Sequence, residues 1–145
     1  MEYKFFGSNN CDVSPINEIY MDIDNPKVLY DYLLDIWSID TCAPRLRKDW
    51  SENNKTLGQC SITAFLVQDI FGGEVYGVLL DDGAFHCYNV IGKAKFDLTS
   101  EQFLGKQLDY NDKYPQSREK HFSDKDKFER YLLLKSKLLK VIRGI

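Results

Sequence analysis

The sequence lacks any long apolar run. No stretch approaches the roughly 20 apolar residues that a membrane-spanning helix needs, and residues 1–6 do not form the extended apolar segment of a secretory signal. It also lacks a basic excess: 19 Lys and Arg stand against 22 Asp and Glu, for a net charge of -3. Because phosphate binding needs a concentrated basic surface, we expect a cytoplasmic protein that binds neither membrane nor nucleic acid.

Cysteine is sparse, and its spacing excludes two common uses. The four cysteines, Cys11, Cys42, Cys60 and Cys87, are too scattered for a disulfide scaffold and include no Cys-x-x-Cys pair. A zinc site built from Cys60, His86 and Cys87 is disfavoured because neighbouring residues of a strand point to opposite faces. We therefore expect reduced thiols, no metal and no organic cofactor.

The length of 145 residues and a hydrophobic content of 43% predict one globular domain over residues 1–145. Residues 1–24 carry turn formers and no strong period, so they are expected to form an irregular arm with at most one short strand. Residues 25–145 then contain the core. The sequence leaves the oligomeric state open.

Three segments have helical patterns. Asn25 followed by Pro26 is typical of a helix start, and apolar residues then recur at helical spacing. Residues 58–71 are apolar nearly all round and end at Gly72, which predicts a buried central helix. From Ser123 onward, apolar residues at spacings of 3 or 4 predict a long amphipathic terminal helix.

The middle of the chain is β-prone. Residues 75–80, 84–91 and 94–98 are short strand-like runs separated by Asp82-Gly83 and Gly92-Lys93, which are typical of tight hairpin turns. We expect an antiparallel meander. A capping box at residues 99–102 then predicts a helix directly after the third strand.

Cys60 stands at the head of the central helix, where backbone N–H groups lower a thiol pKa. A two-residue turn before Lys93 or Ala94 places His86 and Asp97 on one sheet face, either diagonal or directly opposite. We expect that face to pack on the central helix and bring His86 to Cys60. Taken singly, a buried cysteine or a strand histidine is usually structural. His121 lies in a polar run and is expected at the surface.

A wider set of residues resembles the bacterial YunG-like family over about residues 28–140. The resemblance rests on these positions: Trp37-Ser38, Trp50, Asn54, Gly58-Gln59-Cys60, Thr63-Ala64, Phe71-Gly72-Gly73-Glu74, His86, Asn89, Asp97-Leu98-Thr99, Glu101-Gln102-Phe103, Ser117-Arg118-Glu119 and Arg130-Tyr131-Leu132-Leu133. The Cys, His, Asp order is similar to that of the papain-like and transglutaminase-like superfamily.

That resemblance implies an α+β fold, with the cysteine at the start of a central buried helix packed on an antiparallel sheet and amphipathic helices at both ends. It implies that Cys60 is a nucleophile, His86 a general acid and base, and Asp97 the residue that orients it. It also points to Asn54 as the oxyanion donor, with Gln59 as the competing choice.

Three further residues are expected at a substrate pocket. Tyr88 and Asn89 follow the histidine, and Trp50 is either a pocket wall or an anchor for the loop at residues 38–57. The resulting hypothesis is a cysteine-dependent acyl or amide hydrolase, or an acyltransferase, acting on an unidentified amide- or acyl-bearing substrate. The alternatives are an inactive papain-like fold serving as a binding or structural module, and an interaction protein that uses its basic terminal helix.

Overall fold

The computed structural model describes residues 2–144. Within them the chain forms an α+β fold, as expected, with a four-stranded antiparallel sheet of order β3-β2-β1-β4. The elements are α1 (Pro26–Ile36), α2 (Cys60–Phe71), β1 (Glu74–Leu79), β2 (Phe85–Ile91), β3 (Ala94–Phe96), β4 (Tyr114–Pro115), α3 (Arg118–Phe122) and α4 (Lys125–Arg143).

The predicted start of α1 is confirmed by its local chemistry. The Asn25 side chain accepts hydrogen bonds from the backbone N–H groups of Lys27 and Val28, and Pro26 occupies the first helical position. These contacts satisfy amides that have no partner within the helix. The predicted central helix is α2, which is buried along most of its length. The predicted terminal helix is α4, whose buried face includes Leu134 and Leu138.

Both predicted hairpin turns are present, and they differ in length. Ile91 pairs with Ala94, so Gly92 and Lys93 form a two-residue turn as expected. The predicted tight turn at Asp82-Gly83 is also present: the Gly83 amide donates to the Leu80 carbonyl at 3.0 Å, and Gly83 has φ +87. This turn is one residue longer than the other, because the Leu80 amide donates to the Ala84 carbonyl at 2.8 Å and leaves Asp81, Asp82 and Gly83 between them.

The predicted helix after the third strand does not develop. Residues Ser100–Phe103 form one turn of 3-10 helix, and Thr99 makes no capping hydrogen bond to it. The Thr99 hydroxyl donates instead to Asp97 Oδ1 at 3.1 Å. Because that hydroxyl is engaged by Asp97, the capping box expected from the sequence is not formed.

The main core lies between the helices and one face of the sheet. Leu33 of α1, Leu66 of α2 and Leu134 of α4 are fully buried in it. The N-terminal arm joins this core through buried residues that include Tyr20 and Ile23. Its regular structure is limited to a 3-10 turn at Glu18–Tyr20 and an isolated bridge between Phe6 and Asp97. Residue 1 of the predicted arm, like residue 145, lies outside the described residues.

Strand β2 is buried on both faces. Cys87 belongs to the core beneath α2, and the Asn89 side chain donates to the Ala64 carbonyl of that helix at 2.9 Å. By alternation, His86 and Tyr88 lie on the other face, where Tyr88 joins a smaller apolar cluster. The expectation that the His86 face packs on the central helix is therefore wrong, because the Cys87 and Asn89 face takes that position.

Candidate active site

Cys60 is the first residue of α2 and is partly buried. The loop that leads to it passes close to Cys42. Gly58 has φ +74, and a Cβ atom added there would lie 2.5 Å from Cys42 Sγ. The Gly58 carbonyl also accepts a hydrogen bond from the Ala43 amide at 3.0 Å. Only glycine fits this conformation and this space, so Gly58 determines how the chain enters α2 at Cys60.

The surroundings of the Cys60 thiol favour its ionised form. A hydrogen bond from the Cys87 side chain has the largest effect and lowers the pKa of Cys60. Burial opposes it, but the charge of His86 and a hydrogen bond from His86 lower the pKa further. The net result is a pKa well below the ordinary thiol value. The same contact raises the pKa of Cys87, which therefore stays a neutral donor.

His86 is 1% exposed and lies between the thiol and a carboxylate. Its Nε2 atom is 2.6 Å from Asp97 Oδ2, which leaves Nδ1 for Cys60. Burial lowers the pKa of His86, but the charges of Asp97 and Cys60 outweigh burial and raise it to about 10. The edge-on ring of Phe103, with centroids 4.7 Å apart, covers the imidazole. These contacts favour an imidazolium beside a thiolate.

Asp97 is held by donors that the sequence did not reveal. Its Oδ1 atom accepts from the Thr99 amide at 3.0 Å and from the Thr99 hydroxyl. Its Oδ2 atom accepts from the Tyr110 hydroxyl at 2.6 Å in addition to its contact with His86. Burial and the neighbouring carboxylate raise the pKa of Tyr110, so it remains a donor. The proximity of Thr99 to Asp97 in sequence is a usable signal, whereas nothing in the sequence pattern indicates Tyr110.

A cleft of about 1010 Å³ opens above Cys60 and His86. Its walls come from residues 43–46, from the β1–β2 loop, from Phe103 and from the segment around α3 and the start of α4. His121 belongs to this wall and is partly buried, so its expected surface position is wrong. Its ring packs against the Phe65 ring of α2, with the ring centroids 5.3 Å apart, and its Nε2 atom is 2.8 Å from Gln116 Oε1.

The three residues expected at the substrate pocket do not line this cleft. Tyr88 is fully buried, with its hydroxyl donating to the Tyr110 carbonyl. Asn89 is buried on the face beneath α2. Trp50 donates from its indole to the Lys55 carbonyl at 3.0 Å and so fastens its own loop. All three residues therefore make structural contacts. Trp50 anchors its loop, which is the second of the two roles expected from the sequence.

The two oxyanion candidates also lie outside the cleft lining. Gln59 is fully buried, and its side-chain amide donates to the Ser38 carbonyl at 3.1 Å. It makes no side-chain capping bond to α2. Asn54 belongs to a turn in which its carbonyl accepts from the Leu57 amide. The donors beside the thiol are therefore the backbone N–H groups in the first turn of α2.

Cys60, His86 and Cys87 come together although the last two occupy opposite faces of β2, because Cys60 contacts both at the end of the sheet.

Within residues 2–144, the His, Cys, Asp and Glu side chains form no group of three or more suited to a metal ion. No helix in this part of the chain combines the length and apolar character needed to cross a membrane.

The sequence pattern of the YunG protein family matches residues 25–143. The chain belongs to this family. It is 40% identical over 75 residues to a protein of Bacillus subtilis (strain 168) described as "Uncharacterized protein YunG", a match that covers 52% of this chain and 63% of the YunG protein. The chain thus spans less than two thirds of that relative's length. No solved structure matches the chain. The YunG-like resemblance seen in the sequence is confirmed.

Proposed function

We propose that this YunG family protein is a cysteine-dependent acyl or amide hydrolase, or an acyltransferase. Cys60 is the nucleophile, His86 the general acid and base, and Asp97 the group that orients the imidazole. One observation carries the proposal: the buried His86 ring bridges the Asp97 carboxylate, at 2.6 Å, and the Cys60 thiol, whose pKa is lowered. Histidine in contact with both a thiol and a carboxylate is the arrangement that activates a cysteine nucleophile.

The fold supports the same proposal. We propose a papain-like or transglutaminase-like architecture, which is supported by the cysteine at the start of a buried helix and the antiparallel sheet beside it. We infer that residues 1–145 form one such domain, because the main core contains side chains from the N-terminal arm, α1, α2, the sheet and α4.

The proposed reaction has two halves. The Cys60 thiolate attacks the carbonyl carbon of an acyl or amide substrate, and first-turn N–H groups of α2 stabilise the oxyanion. The bond to the leaving group breaks as His86 Nδ1 protonates that group, which leaves an acyl thioester on Cys60. His86 then removes a proton from water or from an acceptor amine or alcohol, whose attack releases the acyl product and the thiolate.

Alkylation with iodoacetamide tests the reactive thiol. We expect Cys60 to react faster than Cys11 and Cys42 near neutral pH, when rates are mapped by peptide mass spectrometry from about pH 5 to about pH 9. Burial raises the pKa of both reference thiols. Replacing His86 with Ala should slow the reaction of Cys60, whereas Cys11→Ala should not.

Acyl transfer is tested separately with p-nitrophenyl acetate. We expect an acetyl adduct to form quickly on Cys60. Water should release the acetyl group slowly, and an added amine should also release it. If Cys60 reacts no faster than Cys11 with iodoacetamide, and His86→Ala changes nothing, the catalytic proposal fails. The result would then favour a binding or structural module built on the same fold.

A further inference from the structure

The cleft above Cys60 carries more positive than negative charge. Apart from His121 and the His86–Cys60 pair, whose opposite charges cancel, its charged lining residues are Arg45, Lys120, Lys127, Arg130, Asp124 and Asp126. The balance depends on which of these charges are already paired within the protein, because only an unpaired charge remains available to a ligand.

One basic residue of the lining is fully engaged. Arg130 is 7% exposed, and its Nε atom lies 2.8 Å from Asp126 Oδ2. Its Nη1 atom donates to the Thr41 carbonyl at 3.2 Å. This pair therefore neutralises itself. The other acidic residue, Asp124, is exposed and caps α4 by accepting from the Lys127 amide.

Lys127 is in a different position. It is partly buried, and its Nζ atom lies 2.9 Å from His121 Nδ1. No Asp or Glu carboxylate of residues 2–144 forms an ion pair with Lys127. An ammonium group has three donors, and the contact with His121 accounts for one. Lys127 thus presents a positive charge without a carboxylate partner inside the cleft.

His121 orients this ammonium group. Because its Nε2 atom faces Gln116 Oε1 and donates to it, its Nδ1 atom is the acceptor for Lys127. Burial lowers the pKa of His121, and the charge of Lys127 lowers it further, so the ring stays neutral and able to accept. The pair lies close to the reaction centre: the His121 ring packs against Phe65 of α2, and His121 and Lys127 line the same cleft as Cys60.

We propose that Lys127, oriented by His121, binds a carboxylate of the substrate beside Cys60, so that the preferred substrate is an acyl or amide compound carrying a negative charge near its reactive carbonyl. This inference rests on the proposed function. A single ammonium matches the single charge of a carboxylate. Lys120 and Arg45 on the same walls, which form no ion pair with any carboxylate of residues 2–144, add attraction at longer range.

Two alkylating reagents of similar size test the inference without knowledge of the natural substrate. Iodoacetate carries a carboxylate, and iodoacetamide is its neutral counterpart. With either reagent the Cys60 thiolate forms an S–C bond and iodide leaves, so the ionised fraction of the thiol cancels in the ratio of the two rates. We expect Lys127→Met to lower the iodoacetate-to-iodoacetamide ratio at Cys60 about 5- to 10-fold, the size of a partly screened ion pair.

The control is another lysine of the same helix. Lys125 lies outside the cleft lining and pairs with Glu129 at 3.8 Å, so Lys125→Met should leave the ratio unchanged. Lys127→Arg keeps the charge and should retain most of the preference. If Cys60 reacts with both reagents and Lys127→Met does not change the ratio, the carboxylate site is refuted. If wild-type Cys60 is inert to both, the proposed function itself fails, and this inference fails with it.

Discussion

The hydrogen bond from Cys87 is the largest single influence on the Cys60 thiol, and replacing Cys87 with Ala removes its side-chain donor. A hydrogen bond to a charged group contributes about 1.5–3 kcal/mol. Because a thiol is a weak donor, we take the lower end, which at 1.36 kcal/mol per pKa unit corresponds to a rise of about one unit in the pKa of Cys60. At pH values below the pKa of Cys60, the thiol of the Cys87→Ala variant should therefore be alkylated about tenfold more slowly than that of wild type.

The assay is the rate of iodoacetamide modification at Cys60 as a function of pH, read by peptide mass spectrometry. Cys87→Ser restores a donor and should recover part of the shift. Cys11→Ala is the matched control, since Cys11 is also buried but bonds to the Ser8 carbonyl in the N-terminal arm. Circular dichroism verifies that each variant is folded. A midpoint in Cys87→Ala equal to that of wild type would refute the role of this hydrogen bond.

Two further predictions concern protonation and packing. NMR titration of His86 should give an apparent pKa of about 10, and Asp97→Asn should lower it by removing the carboxylate charge. Since this pKa exceeds the unfolded value of about 6.5, the stabilisation that His86 contributes is full below that pH and is lost as the pH rises through about 10. Leu66→Ala, in the middle of α2, should lower the free energy of unfolding by about 2–5 kcal/mol in urea titrations, because Leu66 is fully buried; a loss below about 1 kcal/mol would contradict the packing described.

Local signals predicted much of the fold. Asn25 and Pro26 mark the start of α1, because capping depends on neighbouring backbone groups. The apolar character of residues 58–71 predicted a buried helix, since a helix apolar on all sides has no face for solvent. The prediction of a capping box after Asp97 was wrong because the Thr99 hydroxyl, like the Thr99 amide, donates to the Asp97 carboxylate two residues earlier. A charged acceptor makes the stronger hydrogen bond.

The site was predicted in part. Strand parity and the Gly92-Lys93 turn placed His86 and Asp97 on one face, and their contact at 2.6 Å agrees with it. Cys87 was set aside because neighbouring strand residues point to opposite faces, and His121 was expected at the surface. Only the tertiary packing brings Cys87 to Cys60 and His121 to the wall of the cleft. The pocket residues expected from their position after the histidine, Tyr88 and Asn89, turned out to be buried on opposite faces of β2.

The sequence by itself determined the start of α1, the two-residue turn at Gly92-Lys93 and the shared face of His86 and Asp97, because each depends on groups close together in the sequence. Only the tertiary structure decided which face of β2 meets α2. Residues 86–89 are all buried, so alternation of polar and apolar side chains does not distinguish the two faces. The same packing brings His121 and Lys127 to the wall above Cys60, and thereby sets the charge of that wall.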